Sequence, residues 1–540
     1  MGVGTKVLPK DTKRLTHLVK KLRNKARKLE EDKKELAIRA KKSEEQVKIL
    51  TSRTLVLEDE LKLLRHKIFG RRSEKYSVED DKQGRLFNEA EDILDKGEKE
   101  QREGNIKVAS YVRRKGGRKP LPADLPREEI IHDIPEEEKV CSCCGAKLVR
   151  IGEEVSEKLE IIPAKIKVIR NIRPKYACNK CDSCEGKEAV KIAELKPQII
   201  PKSIVTPGLL AYILVSKFGD AIPFYRQEKQ FKRIGVDISR ADLSNWAIRV
   251  GEIFDPFVEI FLDEIRSGPV VQMDETRVQV LNEYGRPNTS KSYMWVMRGG
   301  PPGKPVILYR YHPSRGGEIP LKYLDKYKGF LQTDGYEGYK EIGSRAGIIH
   351  VGCWAHVRRK YYDAGKPTKK PGSAEEALGR IGKIYSVEKE LRGKDITLKE
   401  FVERRRKLVE PILKDFKVWL DKKVIQVAPS TLLGRAVNYT LKQWKKLVRY
   451  LDSPYLTPDT NRIENDIRPF VVGRKNWLFS GSPSGAFASA TIYSVIETAK
   501  ANRLEPYRYL KYLFTELPTT KVEDYKELMP QYLDPKKLKI

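Results

Sequence analysis

Val270-Val-Gln-Met-Asp274-Glu-Thr-Arg-Val-Gln-Val-Leu281 is the stretch on which the fold turns. Its β-branched and apolar residues read as one strand over 269–281. A carboxylate amid strand residues is costly to bury without a partner, so Asp274 calls for a purpose. Working outward, 292–298 and 305–311 read as two more strands, 319–327 as a helix and 329–334 as a strand ending at Asp334. Three strands, a helix and a fourth strand open an RNase H-like fold. This arrangement puts Asp274 and Asp334 on neighbouring strands. Ile348-Ile-His-Val-Gly-Cys-Trp354 suggests a further strand before a helix that begins at Ala355-His-Val-Arg-Arg-Lys360.

A third acid, Glu464, lies in Asn461-Arg-Ile-Glu-Asn-Asp-Ile-Arg468. Two Asp on strands and a Glu on a helix make an oxygen-only site suited to Mg²⁺ or Mn²⁺. Phosphodiester hydrolysis needs an activated water and a stabilised leaving oxygen, and two metals can supply both. Asp274 is placed to bridge them, with Asp334 and Glu464 completing one side each. Plainer readings exist. Asp334 precedes Gly335 and suits a turn; Asn461 and Glu464 have capping-box spacing, which would tie Glu464 to backbone. Around the acids lie candidate DNA contacts: Trp354, His356, Arg358 and Arg359 in one segment, Arg468, Arg474, Lys475 and Asn476 in the other. Arg and Lys suit phosphates and Trp an unpaired base. His356 suits a ligand, a proton relay or a phosphate contact, and both Trp354 and Trp477 also suit a core.

The formal net charge is +32 over 540 residues, which implies a polyanionic partner, nucleic acid first. No run approaches the roughly 18 apolar residues that span a bilayer, and the charged N-terminus lacks a signal-peptide core. The expectation is an intracellular protein, cytoplasmic and nucleoid-associated, with no membrane partner. Six of the seven cysteines fall between Cys141 and Cys184. Cys141 with Cys144, and Cys178 with Cys181, form two C-x-x-C knuckles that suit one structural Zn²⁺; Cys143 and Cys184 compete as ligands. Between the knuckles, 168–176 reads as a strand. Leu15, Leu22, Leu29, Leu36, Leu50, Leu57 and Leu64 share one phase of a seven-residue repeat, broken only by Ser43. That pattern predicts a two-stranded coiled coil and so a homodimer. Residues 204–262 read as helices around a Gly235 turn, with Ser239 and Asp242 opening the last; this suits either helix-turn-helix or an ordinary bundle, and in the former Arg240, Ser244 and Asn245 are the exposed readers.

These residues resemble a known family. Leu64-Arg-His-Lys-Ile-Phe-Gly-Arg-Arg-Ser-Glu-Lys75, the 141–184 cysteines, Asp274-Glu-Thr, Asp334-Gly-Tyr, Gly352-Cys-Trp-Ala-His-Val-Arg-Arg-Lys360, Arg474-Lys-Asn-Trp-Leu-Phe479 and the 513–533 segment are similar to transposases of the insertion-sequence-66 family. The resemblance implies a DDE transposase with Asp274, Asp334 and Glu464 as its triad. The fold class expected is multidomain α+β: a coiled coil (1–70), a basic linker (71–124), a small zinc-binding domain (125–200), a helical DNA-binding region (201–264), an RNase H-like α/β catalytic core in two parts (265–365 and 454–510) around a helical insertion (366–453), and a C-terminal segment (511–540). The expected activity is binding of the element's terminal inverted repeats, metal-dependent strand cleavage and strand transfer into target DNA, with accessory proteins of the same element as possible partners. The alternatives are a nuclease that stops at hydrolysis and a transposase-derived DNA-binding protein without catalysis.

Overall fold

A 61-residue stretch without an internal Pro or Gly forms a single helix, α1 (Pro9–Phe69). The computed structural model describes residues 9–69, 143, 166–177, 190–366 and 372–538. They fall in two units, residues 1–93 with 197–540 and residues 94–196. Leu22, Leu29, Leu36, Leu50 and Leu57 of α1 are each more than half exposed, so the leucine stripe is uncovered in the single chain.

In the smaller unit β1 (Lys175–Ala177) pairs antiparallel with β2 (Val190–Ile192). The strand expected over 168–176 is therefore much shorter. Residues 166–174 make no ladder, and Pro174 has no N–H to offer one.

From residue 197 on, the larger unit continues with helices α2 (Pro207–Leu214), α3 (Phe224–Arg233), α4 (Arg240–Ile253) and α5 (Asp255–Ser267). Thr206 and Ser239 cap α2 and α4 by accepting from Leu209 N and Asp242 N. Arg240 and Asn245 are exposed and Ser244 half-buried. These helices share one apolar core with the sheet, through residues such as Leu243, Phe257, Val271 and Trp295.

The sheet comprises β3 (Val270–Gln279), β4 (Lys291–Gly299), β5 (Val306–His312), β6 (Gly329–Gln332) and β7 (Ile348–Val351). Its order is β5-β4-β3-β6-β7. β3, β4 and β5 pair antiparallel, while β6 and β7 run parallel to β3. The expected strand over 269–281 stops at Gln279 because the next residues pair elsewhere: Ser480 N donates to Gln279 O (2.9 Å) and Leu281 N to Ser480 O (2.9 Å). The helix expected over 319–327 is only α6 (Glu318–Tyr323); Lys326 at φ 63° and Gly329 at φ 147° turn the chain into β6 instead.

A short α7 (Lys340–Ser344) leads to β7, and α8 (Trp354–Gly365) follows it. The helices α9 (Ser373–Arg392), α10 (Leu398–Gln426) and α11 (Leu432–Leu447) follow. They build a second apolar core around Trp354, Tyr361, Phe416 and Leu447. The chain then returns as α12 (Asn461–Trp477), α13 (Pro483–Ala501) and α14 (Pro506–Glu516). α13 crosses the sheet edge: Tyr309 N and Ile307 N of edge strand β5 donate to Ser494 Oγ (2.8 Å) and Thr498 Oγ1 (3.0 Å). Helix hydroxyls thereby occupy donors that would otherwise leave an open edge.

Candidate active site

Strand register levels the acids. β6 pairs Gln332 with Gln272 of β3 on one side and with Val351 of β7 on the other. Two residues beyond these pairs come Asp274, still within β3, and Asp334 and Cys353, just past the ends of β6 and β7. A step of two keeps the same face, so this register brings Asp334 and Cys353 toward Asp274 where β6 and β7 end beside β3. Beneath them Gln272 Nε2 donates to Gln332 Oε1 (2.8 Å), and Gln332 Nε2 to Thr457 O (2.8 Å). This amide pair ties the sheet to the 457–460 segment, which leads directly into α12. Trp354 N donating to Pro458 O (2.9 Å) adds a second tie.

α12 brings in Glu464, which is 2% exposed. Thr460 precedes the helix, and its side chain makes no cap to the backbone. Instead its Oγ1 lies 3.1 Å from Glu464 Oε1 and 3.2 Å from Cys353 Sγ. Glu464 is therefore not tied to backbone as a capping-box glutamate would be. Asp334 does make a turn, accepting from Tyr336 N (2.9 Å), but its level beside Asp274 gives it a place in the site as well.

The acids repel one another. Burial holds the Asp274 carboxyl well above the ordinary range, and the charges of Glu275, Asp334 and Glu464 push it further; His356 opposes them. Burial likewise raises Glu464, against His356, Arg359 and the Thr460 hydroxyl. The Cys353 thiol is pushed up to about 12, chiefly by burial. Carboxylates gathered this way favour a bound positive charge. Glu464 Oε2 and His356 Nδ1 are buried without a hydrogen-bond partner, and His356 Nδ1 lies 3.8 Å from Glu464 Oε1. Cys353, His356 and Glu464 offer ligand atoms that all lie within 4.8 Å of one another. This donor set fits a divalent cation.

Two salt bridges brace the site, and the sequence reading missed both. Arg298 Nη1 of β4 donates to both oxygens of Asp466 on α12 (2.9 and 2.7 Å), which pins the helix two residues from Glu464. Glu275, on the opposite face of β3, accepts from Arg315 Nε (2.6 Å) and Tyr339 Oη (2.5 Å). Cys353 was also missed as a site residue, though it stood within the Gly352-Cys-Trp-Ala-His motif. Its meaning depends on the β6–β7 register.

The candidate DNA contacts separate. Trp354 is fully buried, lies against Phe416 with ring centroids 6.0 Å apart, and donates from Nε1 to Leu447 O (3.1 Å). It is a core residue rather than a stacking platform. Trp477 sits edge-on to Phe470. Arg474 donates to Arg277 O and approaches Thr276 Oγ1 at 3.3 Å, while Asn476 Nδ2 donates to Ala221 O (3.0 Å). Both tie α12 to its surroundings. His356, Arg358 and Arg359 are half-buried on α8; Arg468 and Lys475 are exposed on α12. The proposed zinc ligands Cys141, Cys144, Cys178 and Cys181 lie outside the described residues, as does Cys184; Cys143 is exposed.

A mixed α/β unit that gathers carboxylates at one end of its parallel strands defines the class, and comparison with known proteins narrows it. The sequence pattern described as the Transposase IS66 family matches residues 202–488. The zinc-finger binding domain of transposase IS66 matches 138–182, the pattern described as transposase C of IS166 homeodomain matches 56–130, and the IS66 C-terminal element matches 494–531. The chain belongs to the IS66 family of transposases. Among its relatives, the uncharacterized protein y4qI of Sinorhizobium fredii (strain NBRC 101917 / NGR234) is 31% identical over 454 residues, 80% of this chain and 82% of that protein. The uncharacterized protein y4jD of the same strain is 33% identical over 403 residues, 72% and 76% of the two chains. The protein is thus an insertion-sequence transposase with a zinc-finger domain and DNA as its partner. Among the described residues no helix is long and apolar enough to cross a membrane.

Proposed function

We propose that the chain is a DDE transposase with an RNase H-like catalytic core, in which Asp274, Asp334 and Glu464 hold two divalent cations, Mg²⁺ or Mn²⁺. The observation that carries this reading is the β3–β6 register, which sets Asp274 and Asp334 each two residues beyond the Gln272–Gln332 pair, with the charges of Asp334 and of Glu464 on α12 acting on Asp274. The sheet order, with three antiparallel strands followed by two parallel ones, supports the RNase H-like assignment.

Cations held by these acids would supply an activated water and charge stabilisation on the leaving oxygen. The chain's own residues hold and aim the rest. Thr460 orients Glu464, and the Arg298–Asp466 pair sets the helix that bears it. Arg358, Arg359, Arg468 and Lys475 hold backbone phosphates. Water attacks phosphorus at the element's end, the bond to O3′ breaks, and a 3′-hydroxyl is freed. That hydroxyl then attacks a target phosphodiester, forming the new bond as the target's own O3′ leaves.

In this reading the protein recognises terminal inverted repeats and acts as a dimer paired through α1. Cys141, Cys144, Cys178 and Cys181 hold Zn²⁺, with other proteins of the element as possible accessories. The domain limits are those drawn from the sequence. Labelled element ends, Mg²⁺ and a target plasmid test it. Joined product is expected; cut ends alone would mean a nuclease, and a mobility shift without cutting a silent DNA-binding protein. Asp274→Asn, Asp334→Asn and Glu464→Gln should each abolish cutting and keep end binding. Near-normal cutting by any one of them removes that residue from the triad.

A further inference from the structure

His356 enters the site from α8 without a partner for its inner nitrogen. Its Nδ1 is buried and unbonded, although a buried ring nitrogen normally finds a partner. The nearest acid atom is Glu464 Oε1 at 3.8 Å. That is too long for a hydrogen bond. It matches the spacing of two atoms bound to one ion, roughly 3–4 Å for bonds of about 2.1 Å. The other Glu464 oxygen, Oε2, is also buried and unbonded.

The rest of the cluster orients this carboxylate. The Thr460 hydroxyl lies between Glu464 Oε1 (3.1 Å) and Cys353 Sγ (3.2 Å). A hydroxyl has one proton and can donate to only one of them. The carboxylate is the stronger acceptor, so the Cys353 S–H supplies the other bond, donating to Thr460 Oγ1. Thr460 N–H in turn donates to Sγ (3.4 Å). The thiol and hydroxyl form a chain that aims Oε1 and leaves Oε2 without a hydrogen bond.

We propose that His356 Nδ1 and Glu464 together bind one divalent cation, with Cys353 and Thr460 as positioning residues, so that this half of the site is a nitrogen–oxygen site favouring Mn²⁺ over Mg²⁺. Mg²⁺ takes oxygen ligands, whereas Mn²⁺, a first-row transition metal that also suits carboxylates, accepts an imidazole nitrogen beside them. The inference rests on the reading of Asp274, Asp334 and Glu464 as metal-holding acids. It divides that site into an oxygen-only half and a mixed half.

The test is Mn²⁺ binding to the full zinc-loaded chain without DNA, read by electron paramagnetic resonance, with Mg²⁺ as competitor. His356→Ala should weaken the tighter Mn²⁺ site by about tenfold or more and bring its preference close to that of Mg²⁺. Cys353→Ala and Thr460→Val should each weaken it by roughly tenfold. Cys353→Ser, which keeps a donor and an acceptor, should stay near wild type; this variant also shows whether the losses come from misfolding. Unchanged Mn²⁺ affinity in His356→Ala overturns the inference while leaving the carboxylate reading intact. Unchanged binding in both Asp274→Asn and Glu464→Gln overturns the carboxylate reading itself.

Discussion

Removing Arg298 should loosen the helix that carries Glu464. Arg298 holds Asp466 through both carboxylate oxygens, and their side chains are 22% and 12% exposed. Arg298→Met leaves a mostly buried carboxylate without its main partner. Breaking such a pair from one side costs roughly 3–5 kcal/mol. The low end, about 3 kcal/mol, is expected here, because the charges of Lys500 and Arg462 also act on Asp466. The double variant Arg298→Met/Asp466→Leu removes both charges and should recover most of that loss. Acidity gives an independent check. Burial holds the Asp466 carboxyl above its ordinary range, and Arg298 opposes that rise. Without Arg298 the folded-state value climbs further above the unfolded one, so the folded state binds the proton more tightly. The variant's deficit against wild type is therefore complete above the variant's value, shrinks as pH falls through it, and levels off below the wild type's own, less raised value. Guanidinium denaturation of both proteins from pH 7 down to pH 5 reads this directly. Cutting of element ends should fall with stability in the single variant and return in part in the double. A loss below about 1 kcal/mol, or a deficit that grows on acidification, would refute the reasoning.

Three other outcomes are expected. Trp354→Ala should cost about 3–5 kcal/mol by opening a cavity in the second core, whereas a stable variant with weakened DNA binding alone would return Trp354 to the DNA-facing set. Metal analysis should find one Zn²⁺ per chain, with Cys143→Ser and Cys184→Ser tolerated better than Cys141→Ser or Cys178→Ser; the reverse order would reassign the ligands. Leu29→Glu with Leu36→Glu should break the dimer by charging an exposed apolar seam that a second helix gains roughly 25 cal/mol per Å² by covering, and an unchanged sedimentation coefficient would place the pairing elsewhere.

Much of this molecule was legible in local pattern. The long α1 follows from uninterrupted helical residues, and the five strands follow from apolar runs between turns. Asp274 stood out because a charge within a strand is expensive unless something pairs with it. Even Asp334 could be placed beside it, since the element order makes their strands neighbours. The insertion's helices were legible from their charged, β-poor composition. Local pattern was least reliable where elements end, since an end depends on what the next residues meet. The chain at Ser480 bridges Val280 just past the end of β3, and Pro174 has no N–H to give a ladder.

The tertiary structure alone decided which side chains share the site. Trp354 and His356 are two residues apart on one helix, yet one faces the insertion's core and the other faces Glu464. A helix turns through about 200° over two residues, so only the packing of α8 could say which side was which. The register of β6 against β7 brought Cys353 level with the two aspartates. Crossings between distant segments supplied the rest: Arg298 with Asp466, Gln332 with Thr457, and Thr460 with Cys353. Residue order supplies each partner's chemistry, but the distance between partners exists only once the two cores have packed.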